Sequence, residues 1–365
     1  SDKEFFDSID LSLPALKAVK EAVDAGNYSN ARLELVKYFD NRKTPISRLD
    51  YKIKHDDKFD TTKADNICKH IFTRLGISYD LGKRIDWSAQ AAQINGRHNK
   101  SFACGINIHC SGSLGEVAAA YENTGQEKYA QACVDLLMSW IEDVPLPAAD
   151  DIARIHFAWS PLTAGLRLAA WTDYWFLFRK SSAFTPDAQI AMLKALIIHG
   201  RWLAQEKCKC GGNWVFMIAS GLGSLGIVFP EFKESRQWVD IAFDRIVQAY
   251  NSQIYPDGMQ QELTPHYHWV SVVALRYFQV LLKRNNIAER AYDDVRNKHC
   301  VERVSVVWAN VIEALDHHIK AHPGIPLQAV AKRSRLKKIR SKISSVHMQV
   351  LATYNSGGVP LVMRK

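Results

Sequence analysis

The sequence contains no uninterrupted apolar run of the ~18 residues that a membrane-spanning helix needs. We expect no secretory leader in the residues given, which begin with Ser1-Asp2-Lys3 instead of a methionine. We therefore predict a chain without a membrane span. A start without methionine is typical of a mature or trimmed chain, so the missing leader does not exclude an exported protein.

Cysteines are few and irregularly spaced. The chain has seven in 365 residues, an odd number, which argues against a dense disulfide framework and favours buried free thiols. The Cys208-Lys209-Cys210 pair is not accompanied by a second pair at zinc-ligand spacing. The sequence therefore specifies no metal site.

Acidic residues are missing from one segment, residues 331–365, which carries nine Lys and Arg. The formal net charge of the whole chain is +9, so residues 1–330 are formally neutral. The high isoelectric point thus reflects a tail and does not by itself indicate a nucleic-acid-binding protein. We expect this basic tail to be solvated.

Strand patterns are nearly absent before residue 345, and only residues 346–354 and 359–363 look extended. Apolar residues recur instead at helical spacing, with short breaks between paired helices. The pairs have no fixed repeat length. They predict an all-α fold over residues 1–330, an incomplete (α/α) toroid of helical hairpins and not an α-solenoid. Residues 331–365 would be a basic tail or the truncated start of a further domain.

Capping signals predict where individual helices begin. Ser29-Asn30 is expected to cap the second helix after the Gly26-Asn27 break. Thr185-Pro186 and Thr264-Pro265 have the hydroxyl-then-proline pattern of a helix start. Pro230-Glu231 is expected to start a helix that reaches about residue 254.

Asn213 is the first residue with a candidate chemical role. It follows Gly211-Gly212 at a predicted helix start, where glycines allow close approach of a ligand and free amides favour an anion. Its side-chain amide could hydrogen-bond a carboxylate. The alternative is a plain helix cap, and the sequence does not decide between them.

Tyr267 is the second candidate. It lies between His266 and His268, behind a turn that contains Asp257 and Glu262. A tyrosine hydroxyl can remove a proton from carbon or donate one to a leaving oxygen. The alternative is a polar helix start with one buried face.

A third cluster comprises Arg154, His156, Trp159 and Arg167. An arginine there could hold an anionic substrate or could tie helix ends together. The ten Trp and thirteen Tyr of the chain likewise fit either a large core or the walls of a sugar-binding cleft.

Three stretches together resemble the heparinase II/III superfamily of polysaccharide lyases. They are Asn213-Trp214, residues 229–233 (Phe-Pro-Glu-Phe-Lys) and residues 256–268 (Pro-Asp-Gly-Met-Gln-Gln-Glu-Leu-Thr-Pro-His-Tyr-His). The resemblance covers roughly residues 10–325. Asn in place of His at position 213, followed by Trp, favours the heparinase III members, which are heparan-sulfate lyases.

The resemblance implies an incomplete toroid followed by a large antiparallel β-sandwich, with the polysaccharide held between them. It implies β-elimination in a uronate-containing glycosaminoglycan such as heparan sulfate, which leaves 4,5-unsaturated uronate ends. Asn213 would neutralise the uronate carboxylate, and Tyr267 would be the catalytic acid and base. The predicted substrate-binding residues are Arg154, His156, Trp159, Arg167, Trp214, Gln261, Glu262, His266 and His268.

The sequence departs from this family after residue 327, where the pattern stops and the basic tail begins. The β-sandwich therefore looks missing or truncated. Family members take a second catalytic histidine from that domain, and nothing aligns His347, the one histidine of the tail, with it.

Other functions stay open on the residues alone. They are a lyase for alginate or another uronate polymer, a toroid that binds glycan without turnover, and a glycoside hydrolase with carboxylates from Asp173, Asp257 and Glu262. The expected partner is an acidic polysaccharide and not nucleic acid. No cofactor is required, although family members can hold a divalent ion such as Ca²⁺. We expect a monomer in the bacterial periplasm or secreted from the cell.

Overall fold

Antiparallel helical hairpins make up most of the computed structural model, which describes residues 1–74, 77–87, 93–94, 97–98, 114–147, 157–255 and 260–287. All of them lie in one compact unit, residues 1–307. The predicted boundary at residue 330 and the basic tail fall outside the described residues. The helices are α1 (Asp2–Asp7), α2 (Lys17–Asp24), α3 (Tyr28–Asn41), α4 (Thr62–Ile67), α5 (Leu114–Thr124), α6 (Glu127–Asp143), α7 (Pro161–Phe178), α8 (Pro186–Ala204), α9 (Trp214–Val228), α10 (Ser235–Gln253) and α11 (Pro265–Arg284).

Three long helices begin with the same local chemistry. Ser160, Thr185 and Thr264 each stand before a proline, and each side-chain oxygen accepts a backbone N–H three residues later, at 3.2–3.3 Å. The hydroxyl satisfies one free helix donor, and proline at the first helical position has no N–H to satisfy. The starts predicted at Thr185 and Thr264 are confirmed.

Two predicted helix starts are wrong. The cap of α3 is Asn27, whose side-chain oxygen accepts the N–H of Asn30 at 3.1 Å. Helix α10 begins at Ser235, because the residues after Phe229 form a turn instead. In that turn the Glu231 carboxylate points inward to a buried arginine, and the Ser235 hydroxyl donates to the Phe229 carbonyl oxygen.

Two short β-hairpins were not predicted. Strands β1 (Ile71–Arg74) and β2 (Ile77–Asp80) pair antiparallel, and so do β3 (Gln93–Ile94) and β4 (Arg97–His98). In the first hairpin Phe72 pairs with Tyr79, and both side chains are buried. Strands of two to four residues are too short for alternation to stand out in a sequence.

Helix α9 is the central element, because its residues Val215–Val228 are all buried. It packs against α7, α8, α10 and α11. Helix α7 approaches especially closely where Gly165 meets Gly221, since a methyl group on Gly221 would overlap the carbonyl oxygen of Gly165. A helix that is apolar on every side belongs in a core. The buried body of α9 therefore fixes the position of Asn213 and Trp214 at its N-terminal end.

Most of the described tryptophans are buried in the core. Among the described tryptophans Trp214 is the exposed one, at 44%, and Trp269 is half-buried. The buried ones are Trp87, Trp140, Trp159, Trp171, Trp175, Trp202 and Trp238. Core packing thus accounts for most of the aromatic content.

Arg245 fixes the segment that leads into Asn213. From α10 it donates to the carbonyl oxygens of Leu203, Ala204 and Gln205 at 2.5, 3.2 and 2.9 Å. These carbonyls end α8 and have no partner within the helix. The buried guanidinium therefore ties the end of α8 to α10, just before the loop that reaches α9.

Within the described part of the chain no helix combines the length and apolarity that a membrane crossing demands. The cysteines described there are free thiols, as predicted, and of these Cys133 and Cys208 are buried while Cys68 and Cys210 are half-buried.

Candidate active site

Asn213 and Glu262 form the centre of the candidate site. The side-chain nitrogen of Asn213 lies 2.9 and 3.0 Å from the two carboxylate oxygens of Glu262, and its backbone N–H donates to Glu262 Oε1 at 2.7 Å. Asn213 occupies the cap position of α9, yet its side chain makes no capping hydrogen bond. It is 5% exposed. The plain-cap alternative therefore does not describe this residue.

Gly212 makes room for the Glu262 carboxylate. A methyl group at Gly212 would lie 2.8 Å from Glu262 Oε1, and the glycine has a φ of +62°, in the left-handed region. A residue with a side chain would be strained there and would press on the carboxylate. The glycine next to Asn213 is thus required by the geometry of the pair.

Gln260 supports Glu262 from the other side. Its side-chain oxygen accepts the backbone N–H of Glu262 at 2.8 Å, and its side-chain nitrogen lies 3.3 Å from both Glu262 Oε1 and Gln253 Oε1. Gln260 is 0% exposed. The sequence reasoning named Gln261 and missed Gln260 and Gln253. Gln261 is exposed, and its backbone N–H donates to the Gln253 carbonyl oxygen at 2.8 Å.

Tyr267 lies in the first turn of α11 and is 43% exposed. Its backbone N–H donates to the Thr264 hydroxyl at 3.2 Å, so the capping bond holds the first turn that carries it. His268 next to it is buried, and its Nδ1 accepts the backbone N–H of Gln260 at 3.2 Å. This bond connects α11 with the turn that carries Glu262. His266 lies in the same turn of α11, and its side chain is outside the described residues.

Large side chains that solvent reaches lie in or near the first turns of these two helices along the chain. Trp214 and Tyr267 are joined by Tyr255 and Leu263 among the large hydrophobic residues that solvent reaches. Flat aromatic rings with a polar atom suit the apolar faces of sugar rings. The rim could therefore hold a polysaccharide against the Asn213 amide.

The described residues of the third predicted cluster, Trp159 and Arg167, lie in the core and not at the Asn213 site. Arg154 and His156 lie outside the described residues. Arg167 is 0% exposed, with its guanidinium carbon 3.9 Å from the ring centre of Trp140 and its Nε donating to His199 at 2.9 Å. Trp159 is buried against the same histidine, with ring centres 4.4 Å apart. The geometry therefore favours packing over substrate contact for Arg167 and Trp159, because aromatic rings surround the charge.

Two of the carboxylates considered for a glycosidase, Asp173 and Glu262, are already engaged by other side chains. Asp173 receives two donors of Arg48, with Nε at 3.0 and 2.9 Å from its two oxygens. Burial raises the pKa of Asp173, and Arg48 opposes that rise. Glu262 is engaged with Asn213, and Asp257 lies outside the described residues. Over the described ranges, no three His, Cys, Asp or Glu side chains are grouped to hold a metal ion.

Comparison with known proteins points to one family. A family model described as heparinase II/III N-terminus matches residues 5–304. A heparin-sulfate lyase of Bacteroides stercoris is 28% identical over 336 residues, covering 84% of this chain and 47% of that protein. A heparin-sulfate lyase of Pedobacter heparinus is 29% identical over 277 residues, covering 73% and 40%.

Solved structures agree in fold. A heparinase III with methylated lysines matches with a TM-score of 0.69 and 25% identity, over 85% of this chain and 49% of that one. The heparan sulfate lyase HepC from Pedobacter heparinus matches with a TM-score of 0.64 and 27% identity, over 85% and 48%. The predicted helical toroid is confirmed, and the chain spans less than half the length of these relatives.

Proposed function

Because the chain belongs to the heparinase II/III N-terminus family, we propose that it acts in the cleavage of an acidic, uronate-containing polysaccharide of the heparan sulfate type. The reaction would be a β-elimination, with Asn213 and Tyr267 as the catalytic residues. The similar, longer proteins named as heparin-sulfate lyases support this proposal.

One observation carries the assignment of residues. Asn213 at the start of α9 and Tyr267 at the start of α11 belong to neighbouring helices whose N-terminal ends are linked by hydrogen bonds through Glu262, Gln260 and His268. Helix N-termini carry partial positive charge and favour a carboxylate. At the start of α9 the Glu262 carboxylate already accepts the backbone N–H of Asn213, so the side-chain amide is the donor proposed for the uronate. A uronate placed there would meet the nearly buried Asn213 amide and the exposed Tyr267 phenol.

The chemistry requires both residue types. The C5 proton of a uronate is weakly acidic, because the adjacent ionised carboxylate resists the negative charge that forms when the proton leaves. A hydrogen bond from the Asn213 amide to that carboxylate would stabilise the enolate-like transition state. Tyr267, as a phenolate, would then take the C5 proton.

The rest of the step balances without a further reactant. The electron pair of the C5–H bond forms the C4=C5 double bond, and the C4–O4 bond breaks. The proton held by Tyr267 passes to the departing O4 when the C5 hydrogen and O4 lie on one face of the ring. When they lie on opposite faces, a second acid is needed, and the described residues offer no assignment for it.

The proposed substrate also supports a location of the protein outside the cytoplasm. Polysaccharides of this type lie outside the cell, which fits the predicted periplasmic or secreted location. The monomeric state stays a prediction.

A spectroscopic assay tests the proposal. Heparan sulfate and alginate are incubated separately with the chain, and the conjugated C4=C5 product is followed by its ultraviolet absorbance. We expect absorbance to rise with heparan sulfate. Asn213→Ala should lower kcat about 10²- to 10³-fold, and Tyr267→Phe about 10²- to 10⁴-fold.

Tyr277→Phe is the matched control, since Tyr277 is an exposed tyrosine further along α11. It should leave the rate unchanged. Full rates in both Asn213→Ala and Tyr267→Phe would rule out the assigned site. Saturated products without new absorbance would indicate a hydrolase instead.

A further inference from the structure

We propose that Glu262 is a positioning residue that fixes the side-chain amide of Asn213 for the reaction, and that Gln260 in turn fixes Glu262. The inference deepens the proposed function and rests on it. Glu262 was predicted from sequence to bind substrate. Its contacts assign it to Asn213 instead.

The carboxylate determines which way the Asn213 amide faces. A carboxylate accepts hydrogen bonds and donates none, so the amide nitrogen, and not the amide oxygen, must face it. Both carboxylate oxygens lie within 3.0 Å of that nitrogen. The backbone N–H of Asn213 donates to the same carboxylate at 2.7 Å. Contacts from two donor groups of Asn213, its side-chain amide and its backbone N–H, to one carboxylate fix both its side-chain rotamer and its amide orientation.

One hydrogen of the amide is left for a ligand. A primary amide nitrogen carries two hydrogens, pointing about 120° apart. Among the described residues Glu262 is the acceptor of this nitrogen, and the two oxygens of one carboxylate subtend a much smaller angle at it than the angle between the two N–H bonds, so they cannot lie along both N–H directions. The second N–H is therefore held in a constant direction. A uronate carboxylate that approaches along it meets a donor that needs no reorientation, which is the property that stabilises a transition state.

The place of the Glu262 carboxylate is built into the fold. Gly212 leaves the space that a side chain would fill, with a methyl position 2.8 Å from Oε1. Gln260 is fully buried and donates to Oε1 at 3.3 Å while accepting the Glu262 backbone N–H at 2.8 Å. These features argue for a carboxylate that stays in place. They argue against an internal mimic of the uronate that substrate displaces.

Kinetics of four variants test the role. We compare Glu262→Gln, Glu262→Ala, Asn213→Ala and the double variant Asn213→Ala/Glu262→Ala in the full chain. Loss of orientation should lower kcat of Glu262→Ala up to about 100-fold, with a much smaller change in KM. Glu262→Gln keeps one acceptor oxygen and should fall between this variant and the wild type. The double variant should be no slower than Asn213→Ala, because Glu262 acts only through Asn213.

Three kinetic outcomes would overturn the proposal. They are an unchanged kcat in Glu262→Ala, losses that add in the double variant, and a lower KM with full kcat in Glu262→Gln, which indicates a displaced mimic. Glu234→Gln is the matched control, because Glu234 is paired with Arg201 at the surface. It should retain wild-type kcat and KM.

A second measurement does not depend on turnover. In chain labelled with [¹⁵N]asparagine, the Asn213 side-chain signals are those lost in Asn213→Ala. In the wild type we expect two well-separated proton shifts with slow exchange, and in Glu262→Ala a collapse toward the positions of exposed asparagines. Unchanged Asn213 signals in Glu262→Ala would refute the positioning contact. A wild-type chain that releases no unsaturated product but shows the expected shifts would refute the proposed function alone.

Discussion

Asn213 shows how a tertiary contact changes the role of a residue that local rules recognise. An asparagine at this position of a helix normally turns its side chain to the helix backbone. Here the side chain turns to Glu262, 49 positions away in sequence. The sequence shows that both residues are polar, and it predicts the helix start at Asn213. It does not predict their pairing, because no local pattern connects them.

The choice between Gln260 and Gln261 was beyond the sequence for a similar reason. The two are adjacent and chemically identical, and the turn decides which one is buried. Leu263, three residues after Gln260, has a φ of 54°. Leucine seldom adopts this conformation, so the sequence carries no signal for the turn. The result is that Gln260 faces Glu262 and Gln261 faces solvent.

Arg167 was predicted to bind substrate because a guanidinium can hold an anionic group, with a structural role that ties helix ends together as the alternative. Three tryptophans from separate segments surround it instead, with their ring centres 3.9 to 5.8 Å from the guanidinium carbon. Cation–π contacts offset part of the cost of burial. His199 accepts its Nε–H, which makes the histidine a neutral partner for a buried cation.

His199 leads to a prediction on pH. Its Nδ1–H donates to the Ala195 carbonyl oxygen, and burial, followed by the Arg167 charge, holds the pKa of His199 well below its ordinary 6.5. Below pH ~6.5 the unfolded chain binds a proton that the folded chain does not. The free energy of unfolding should thus be highest above that pH and fall as pH drops, by up to about 1.4 kcal/mol per unit.

Urea unfolding between about pH 7.5 and about pH 5.5 measures this slope. His199→Gln is the test variant, because its amide can donate to Ala195 and accept from Arg167 without titrating. We expect its slope to be smaller by about one proton. Equal slopes in the two proteins would show that His199 does not titrate in this range.

At the scale of elements, the capped helices followed most directly from the sequence. A hydroxyl residue before proline is a local signal with a local cause, and it marked α8 and α11 correctly. The predicted start of α10 was wrong because a distant arginine, Arg42, stabilises the turn before the helix. A helix start can thus be predicted from the sequence when neighbouring residues provide its capping hydrogen bonds. It cannot be predicted in this way when a distant residue stabilises the preceding turn.

The contact between α7 and α9 gives a prediction at this scale. Gly221→Ala would place a methyl group against the Gly165 carbonyl oxygen, and backbone atoms on both sides cannot move aside independently. The steric cost should exceed the gain in helix propensity, which is about 1 kcal/mol. We expect a loss of about 1–3 kcal/mol in the free energy of unfolding, measured in urea.

Gly211→Ala is the control for that experiment. Apart from Gly211 itself and its two chain neighbours, no atom lies within 4 Å of the position that a methyl group on Gly211 would take. Its substitution should change the free energy of unfolding by less than about 0.5 kcal/mol. A Gly221→Ala protein as stable as this control would mean that the helices separate at little cost.

Across the whole molecule, the N-terminal segment is joined to the connection between α9 and α10. The Asp10 N–H donates to the Glu231 carbonyl oxygen at 2.7 Å, and the Lys233 N–H to the Ser8 carbonyl oxygen at 3.0 Å. Beneath them Arg42 lies 2.8 and 2.9 Å from the two carboxylate oxygens of Glu231, with both side chains nearly inaccessible to solvent. Residues near the first helix thereby support the helix that carries Asn213.

Removing the Glu231 charge should loosen this connection. Glu231→Gln keeps the side-chain shape but leaves the Arg42 cation buried without a counter-ion, which costs about 3–5 kcal/mol in the free energy of unfolding. The amides of Asp10 and Lys233 should then exchange hydrogen faster.

Glu234→Gln, at the exposed pair with Arg201, is the control and should cost about 1 kcal/mol or less in the free energy of unfolding. Replacing both buried partners, as Arg42→Met/Glu231→Leu, should recover most of the stability, because no charge is left unpaired. If the single and double replacements were equally unstable, the loss would come from packing and not from the unpaired charge.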